Sequence, residues 1–94
     1  MEHVIVNFNV KSDKAAEFVS ILNNVKSELP KVEGCLGVKI FRNTSLMNKF
    51  TLVETWESKQ HHQNHLSTLT EDGTWEFISS HLSIDPESSY FEAI

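Results

Sequence analysis

The sequence predicts an α+β domain of the ferredoxin-like, split βαβ class: a four-stranded antiparallel sheet with its helices on one face. Three observations lead there. The hydrophobic period alternates between 2 and about 3.6 in the order strand, helix, strand, strand, helix, short helix, strand. The chain has 94 residues, which fits one small domain spanning 1–94. It holds no repeat, linker or low-complexity stretch.

"VIVNFNV" puts Val4, Val6, Phe8 and Val10 on one face of a first strand, and Ile5, Asn7 and Asn9 on the other. Ser12 or Asp13 is placed to cap a helix running to Leu29, with Phe18, Ile21, Leu22, Val25 and Leu29 as its apolar stripe. Pro30 ends it. "CLGVKIFRN" is a second strand with Leu36, Val38 and Ile40 on one face. "TSLMN" is a hairpin loop, and "KFTLVETWE" returns with Phe50, Leu52, Glu54 and Trp56 sharing a face. Ser58 caps the next helix, and Gly73 breaks it. "WEFISSHL" continues as helix through Trp75, Ile78 and Leu82, and "SYFEAI" closes as a strand. Helices on one side leave the other sheet face bare. Ile5 and apolar residues of the other strands would sit there, and a two-fold partner is the simplest cover.

The net charge of −5 disfavours nucleic acid and anionic membranes, and no Lys/Arg cluster reverses it locally. No apolar run approaches the roughly 20 residues of a bilayer span. The start "MEHVIVNFNVKSD" lacks the features of a signal peptide, so a soluble cytoplasmic protein is expected. A single Cys35 forms no internal disulfide and is expected to be an inert, buried thiol.

"ESKQHHQNHLSTL" holds three of the five histidines. At roughly 100° per residue, His62, Leu66 and Leu69 define the inward stripe. His65 falls at its edge, and His61 lies farther out, toward water. His61 and His65 could share a metal, but no third ligand has convincing spacing, and no metal site is expected. His62 reads either as a core histidine satisfied by a backbone carbonyl or as a pocket residue. Trp56, Trp75, Phe77 and Phe8 read as core or as an aromatic wall. Glu54 would pair with Arg42 or Lys39 across the hairpin, or orient His65. Asn7 and Asn9 read as polar groups of the open face or edge.

From about Phe18 to Leu82 the chain resembles the antibiotic biosynthesis monooxygenase family of dimeric α+β barrels. "VEGCLGVKIFRN", "FTLVETWESKQHHQNH" and "HLSTL…WEFISSHL" carry the likeness by their order and spacing. The resemblance implies a homodimer with sheets face to face and one pocket per subunit between sheet and helices. Family members include cofactor-independent oxygenases of quinols and aromatic polyketides, haem-degrading enzymes and isomerases of small signalling sugars. The haem-degrading pattern departs at all three of its positions. Its Asn falls on Val6, its Trp on His65 and its His near Trp75.

The resemblance places a His at position 65, which makes His65 the expected proton acceptor, with Glu54 its orienting partner. Phe8, Trp56, His62 and Trp75 are the expected substrate-binding residues. The expected activity is monooxygenation of a small aromatic or quinol-type substrate with O2 and no cofactor. The alternatives are isomerisation of a small signalling metabolite, or a non-catalytic dimeric binding or stress-response module.

Overall fold

A computed structural model describes all residues from Met1 to Ile94. Strand β1 (Glu2–Asn9) leads through a 3-10 turn into helix α1 (Ala15–Glu28). Strands β2 (Cys35–Arg42) and β3 (Lys49–Trp56) form a hairpin, followed by helices α2 (Lys59–Glu71) and α3 (Thr74–Ser79) and strand β4 (Glu87–Phe91). The sheet order is β2-β3-β1-β4, with every neighbouring pair antiparallel. β3 therefore lies between β1 and β2, which is the split βαβ arrangement expected from the periodicity. No helix is long and apolar enough to cross a membrane.

Period 2 places the buried residues of β1 (Val4, Val6, Phe8) and β3 (Phe50, Leu52, Glu54, Trp56) on the inner face. Phe18 of α1 packs between them, 5.4 Å from the Phe8 ring and 5.5 Å from Phe50. Pro30 ends α1 as expected, and the chain continues through it as a second 3-10 turn, Leu29–Lys31. Three local expectations need correction. Neither Ser12 nor Asp13 caps α1: both lie in the 3-10 turn Ser12–Lys14, and the helix starts without a side-chain cap. Leu36 does not join Val38 and Ile40. A bulge between Cys35 and Gly37 inserts one extra residue, so Leu36 is exposed and Cys35 takes the inward position. Finally, α3 stops at Ser79, and Leu82 lies beyond it in an isolated bridge to Val10 that closes this end of the core.

The outer face of the sheet carries Ile5 and Val53 at its centre, with exposed Leu36, Phe41 and Phe91 around them. Asn7 lies on this face and accepts a hydrogen bond from Thr51 Oγ1 at 2.7 Å.

Two glycines have positive φ, Gly34 at 86° and Gly73 at 82°. They differ in surroundings. A Cβ on Gly34 would run into the His61 side chain, whereas one on Gly73 would meet nothing within 4 Å. Gly73→Ala should therefore cost only the left-handed penalty of about 1–2 kcal/mol. Gly34→Ala should add overpacking and cost about 3 kcal/mol or more. Urea titration of the two variants checks the difference; equal losses would mean that His61 swings aside without cost.

Candidate active site

A cavity of about 490 Å³ lies between the inner sheet face and the helices. Val6, Phe8 and Leu52 form its floor, Phe18, Leu22 and Val25 of α1 one wall, and Leu66, Leu69, Trp75 and Ile78 of α2 and α3 the other. Exposed Asn24, Glu28 and Thr70 are also part of its lining, so the mouth runs between α1 and α2. The volume falls within the ~300–1,000 Å³ of small-molecule sites.

Polar groups gather at one end. Glu54 and His62 are buried, His65 is half-buried, and all three line the cavity. Beneath them Trp56 is fully buried. Its ring centroid is 5.5 Å from that of His62 and 5.3 Å from that of His65. Trp56 Nε1 donates to Glu54 Oε1 at 2.8 Å. The two residues share a strand face, two positions apart, which brings the indole and carboxylate together. No buried side-chain polar atom lacks a partner, so the second Glu54 oxygen and the His65 nitrogens, which form no protein hydrogen bond, reach the cavity or solvent.

His62 is held differently. Its Nδ1 lies 2.7 Å from the Tyr90 hydroxyl, and the two rings meet edge to face. Tyr90 stands on β4 opposite Val4, and Val4 stands opposite Glu54, so one rung of the sheet carries both polar groups toward α2. The partner of His62 is thus a hydroxyl from the far edge strand, not the expected backbone carbonyl. Tyr90 was not legible as a site residue, because only the β1–β4 register reveals it.

The other expected site residues sort clearly. Phe8, His62, His65, Trp75 and Glu54 line the cavity, whereas Trp56 supports the imidazoles from below and is not part of the lining. Phe77 points away and is exposed. Glu54 pairs with neither Arg42 nor Lys39 and has no hydrogen bond to His65: burial on the inner face separates it from both cations. Arg42 instead lies over the Phe50 ring and donates from Nε to the Met47 carbonyl. His61 is less solvated than its helical angle implies. It packs on Gly34 and sits 2.7 Å from Ser58 Oγ, with its side chain 33% exposed. Ser58 caps α2 as expected, accepting from the His61 amide. Cys35 is half-buried, and burial pushes its thiol up. His81 is buried outside the cavity, with Nε2 2.8 Å from Glu17 Oε2, and pins α1 to the end of α3. No three His, Cys, Asp or Glu side chains cluster as metal ligands.

Burial raises the Glu54 carboxyl above its usual range, opposed by the Trp56 hydrogen bond. Burial pushes His62 down, and the charge of His65 adds to this. Burial also lowers His65, opposed by the Asp72 carboxylate. Both imidazoles therefore favour the neutral form, available as bases. For stability the sign follows directly. The unfolded histidines take up protons first, so their contribution is complete above the ordinary value of 6.5 and is lost as pH falls through the lower folded values. Glu54 acts in the opposite sense. Its contribution is complete below the ordinary 4.5 and is lost as pH rises through its raised folded value. With two histidines set against one carboxyl, the melting temperature should fall as pH drops below the ordinary histidine value of 6.5. A His62→Gln/His65→Gln variant should show a shallower fall; an unchanged slope would contradict the assignment.

The chain superposes on a crystal structure of an antibiotic biosynthesis monooxygenase with a TM-score of 0.88 and 17% identity, covering 100% of this chain and 99% of that one. A conserved Methanosarcina mazei protein gives 0.83 and 20%, covering 96% and 89%. A Pseudomonas aeruginosa protein gives 0.84 and 13%, covering 99% and 93%. Likeness at these identities concerns the fold. No functionally curated protein matches the chain. The sequence profile that does match covers residues 1–71, from β1 to the end of α2, and with them Phe8, Glu54, Trp56, His62 and His65: the chain belongs to the antibiotic biosynthesis monooxygenase family.

Proposed function

We propose that this chain is a homodimeric, cofactor-independent monooxygenase of a small phenol- or quinol-type substrate, its 94 residues acting as one domain. One observation carries the reading. An apolar cavity large enough for a flat ring system ends in an imidazole with no protein partner and a carboxyl open to the same space.

The phenolic proton passes to a His65 nitrogen, which burial keeps neutral and ready to accept it. The electron-rich anion then gives one electron to O2. Recombination at the ring carbon para to the oxygen forms a C–O bond and a hydroperoxide. Loss of water, with the proton returned from His65, leaves a new carbonyl. Phenol plus O2 thus becomes para-quinone plus water, and both oxygen atoms are accounted for. Glu54, whose neutral form burial favours, offers the substrate oxygen a hydrogen bond and stabilises the developing anion. This replaces the role of orienting His65. Phe8 and Trp75 form the apolar wall, and Tyr90 fixes the orientation of His62.

The predominantly apolar lining speaks against a small, highly polar metabolite, and the open cavity beside His65 speaks against a vestigial pocket. A thermal-shift screen of quinols, flavonoid-like phenols and haem, followed by oxygen uptake on each hit, tests the reading. On an accepted substrate, His65→Ala should lower kcat by about 10²–10⁴ with a much smaller change in KM. Unchanged turnover would remove His65 from the chemistry.

The dimer has its own test. Its support is the apolar patch around Ile5 and Val53 together with the family membership. Val53→Asp, at the middle of that face, should turn a dimer into a folded monomer in sedimentation velocity at micromolar concentration. A wild-type chain that sediments as a monomer there would end this part of the proposal.

A further inference from the structure

The cavity lining contains no lysine and no arginine. Its two carboxylate side chains are Glu54 at the polar end and Glu28 at the mouth. Glu28 is engaged from outside by Lys31 at 3.2 Å, a residue that is not part of the lining. Two further cations are committed elsewhere: Lys59 lies over the Tyr90 ring at 5.2 Å and Arg42 over Phe50 at 5.1 Å. Asn24, Thr70, Thr74 and Ser88 add only uncharged polarity.

From this we infer that the site admits only uncharged ligands: a neutral hydroxy-aromatic with its proton still in place, and not a carboxylated, phosphorylated or sulfated relative. Taking an anion from water into an apolar cavity is costly unless a cation meets it. Here none does. Positive charge arises at the polar end only when a histidine takes a proton, and in the proposed reaction that proton comes from the substrate itself. Transfer from a neutral phenol to His65 creates anion and cation together, within one small volume, and leaves the net charge of the cavity unchanged. A ligand that enters already ionised brings a charge with no counterpart, beside a carboxyl group that contributes no positive charge in either protonation state. Glu54 at the polar end and the absence of a guanidinium or ammonium group are thus the specificity determinants. The quinone product is also uncharged and leaves by the same mouth.

The inference rests on the proposed function for the identity of the reacting group, but its test is one of binding. Near neutral pH, 2-naphthol, 2-naphthamide and 2-naphthoate share one ring system and differ in charge. Calorimetric titration should find the naphthol and the amide bound and the carboxylate weaker by about thirtyfold or more. Leu66 lines the cavity and is 42% exposed, so a lysine there can be accommodated without disturbing the core. Leu66→Lys should shift the ratio of 2-naphthoate to 2-naphthamide affinity toward the anion by about tenfold. Wild-type protein that binds 2-naphthoate as tightly as 2-naphthamide overturns the inference, as does a Leu66→Lys variant in which the ratio of the two affinities is unchanged. Oxygen uptake is a separate readout. Naphthol that binds without oxygen uptake, with every quinol also inactive, counts against the monooxygenase alone, while turnover of quinols alongside tight naphthoate binding counts against charge exclusion alone.

Discussion

The site depends on a hydrogen bond inside the core, from the Trp56 indole to the Glu54 carboxylate at 2.8 Å. A carboxyl group that is only 7% exposed needs a partner, because an unsatisfied buried oxygen costs about 1–3 kcal/mol. Trp56 supplies the partner and also serves as a platform. Its fully buried ring lies under both imidazoles at 5.3 and 5.5 Å. One side chain therefore sets the position of three polar groups without forming part of the cavity lining. The platform needs the strand period. Shift Trp56 by one residue and its ring would face outward, the Glu54 oxygen would lose its donor, and the histidines would lose their support.

The same rung explains why polarity is confined to one end. Val38, Glu54, Val4 and Tyr90 stand side by side across β2, β3, β1 and β4. Toward the other end the inward residues are Leu52 and Phe50 on β3 and Val6 and Phe8 on β1, met by Phe18. A ligand with an apolar body and a single hydroxyl head matches that gradient. The gradient also lets burial shift the three groups as it does. Glu54, His62 and His65 are all shifted toward their neutral forms, so burial disfavours charge at this end of the cavity.

Much of this was legible in the sequence, for physical reasons that differ by element. Period 2 in β1 and β3 and the apolar stripe of α1 report burial directly, and they named the inner face correctly from Val4 to Trp56. The cap at Ser58 and the break at Gly73 are local chemistry, and the structure has both. Leu36 was misread because a bulge is a cross-strand event that leaves no mark on alternation. The Ser12/Asp13 cap failed because a tight turn occupies those residues before the helix begins. The hairpin pattern alone offers Glu54 either a cation of the preceding strand, Arg42 or Lys39, or His65 as its partner. The Glu54 side chain, however, points inward with Trp56, and a same-face neighbour two residues away outcompetes an exposed cation. The helical and strand periods suffice to bring Phe8, His62, His65 and Trp75 to one cavity, whereas the contact of Tyr90 with His62 exists only after β4 has paired with β1.

Tyr90 also separates two histidines that the helix alone would treat as near equals. His62 and His65 are three residues apart on α2, share the Trp56 platform and are shifted in the same direction by burial. What distinguishes them comes from a strand beyond the segment matched by the family profile. The Tyr90 hydroxyl occupies one nitrogen of His62 and fixes its ring, so that residue is committed to structure on one side. His65 has no such partner and keeps both nitrogens available to the cavity or solvent. In the proposed reaction the uncommitted ring suits a base that must accept and return a proton, because no existing hydrogen bond has to break first. The ring held by Tyr90 suits, in the same proposal, a wall that keeps its shape when a ligand arrives.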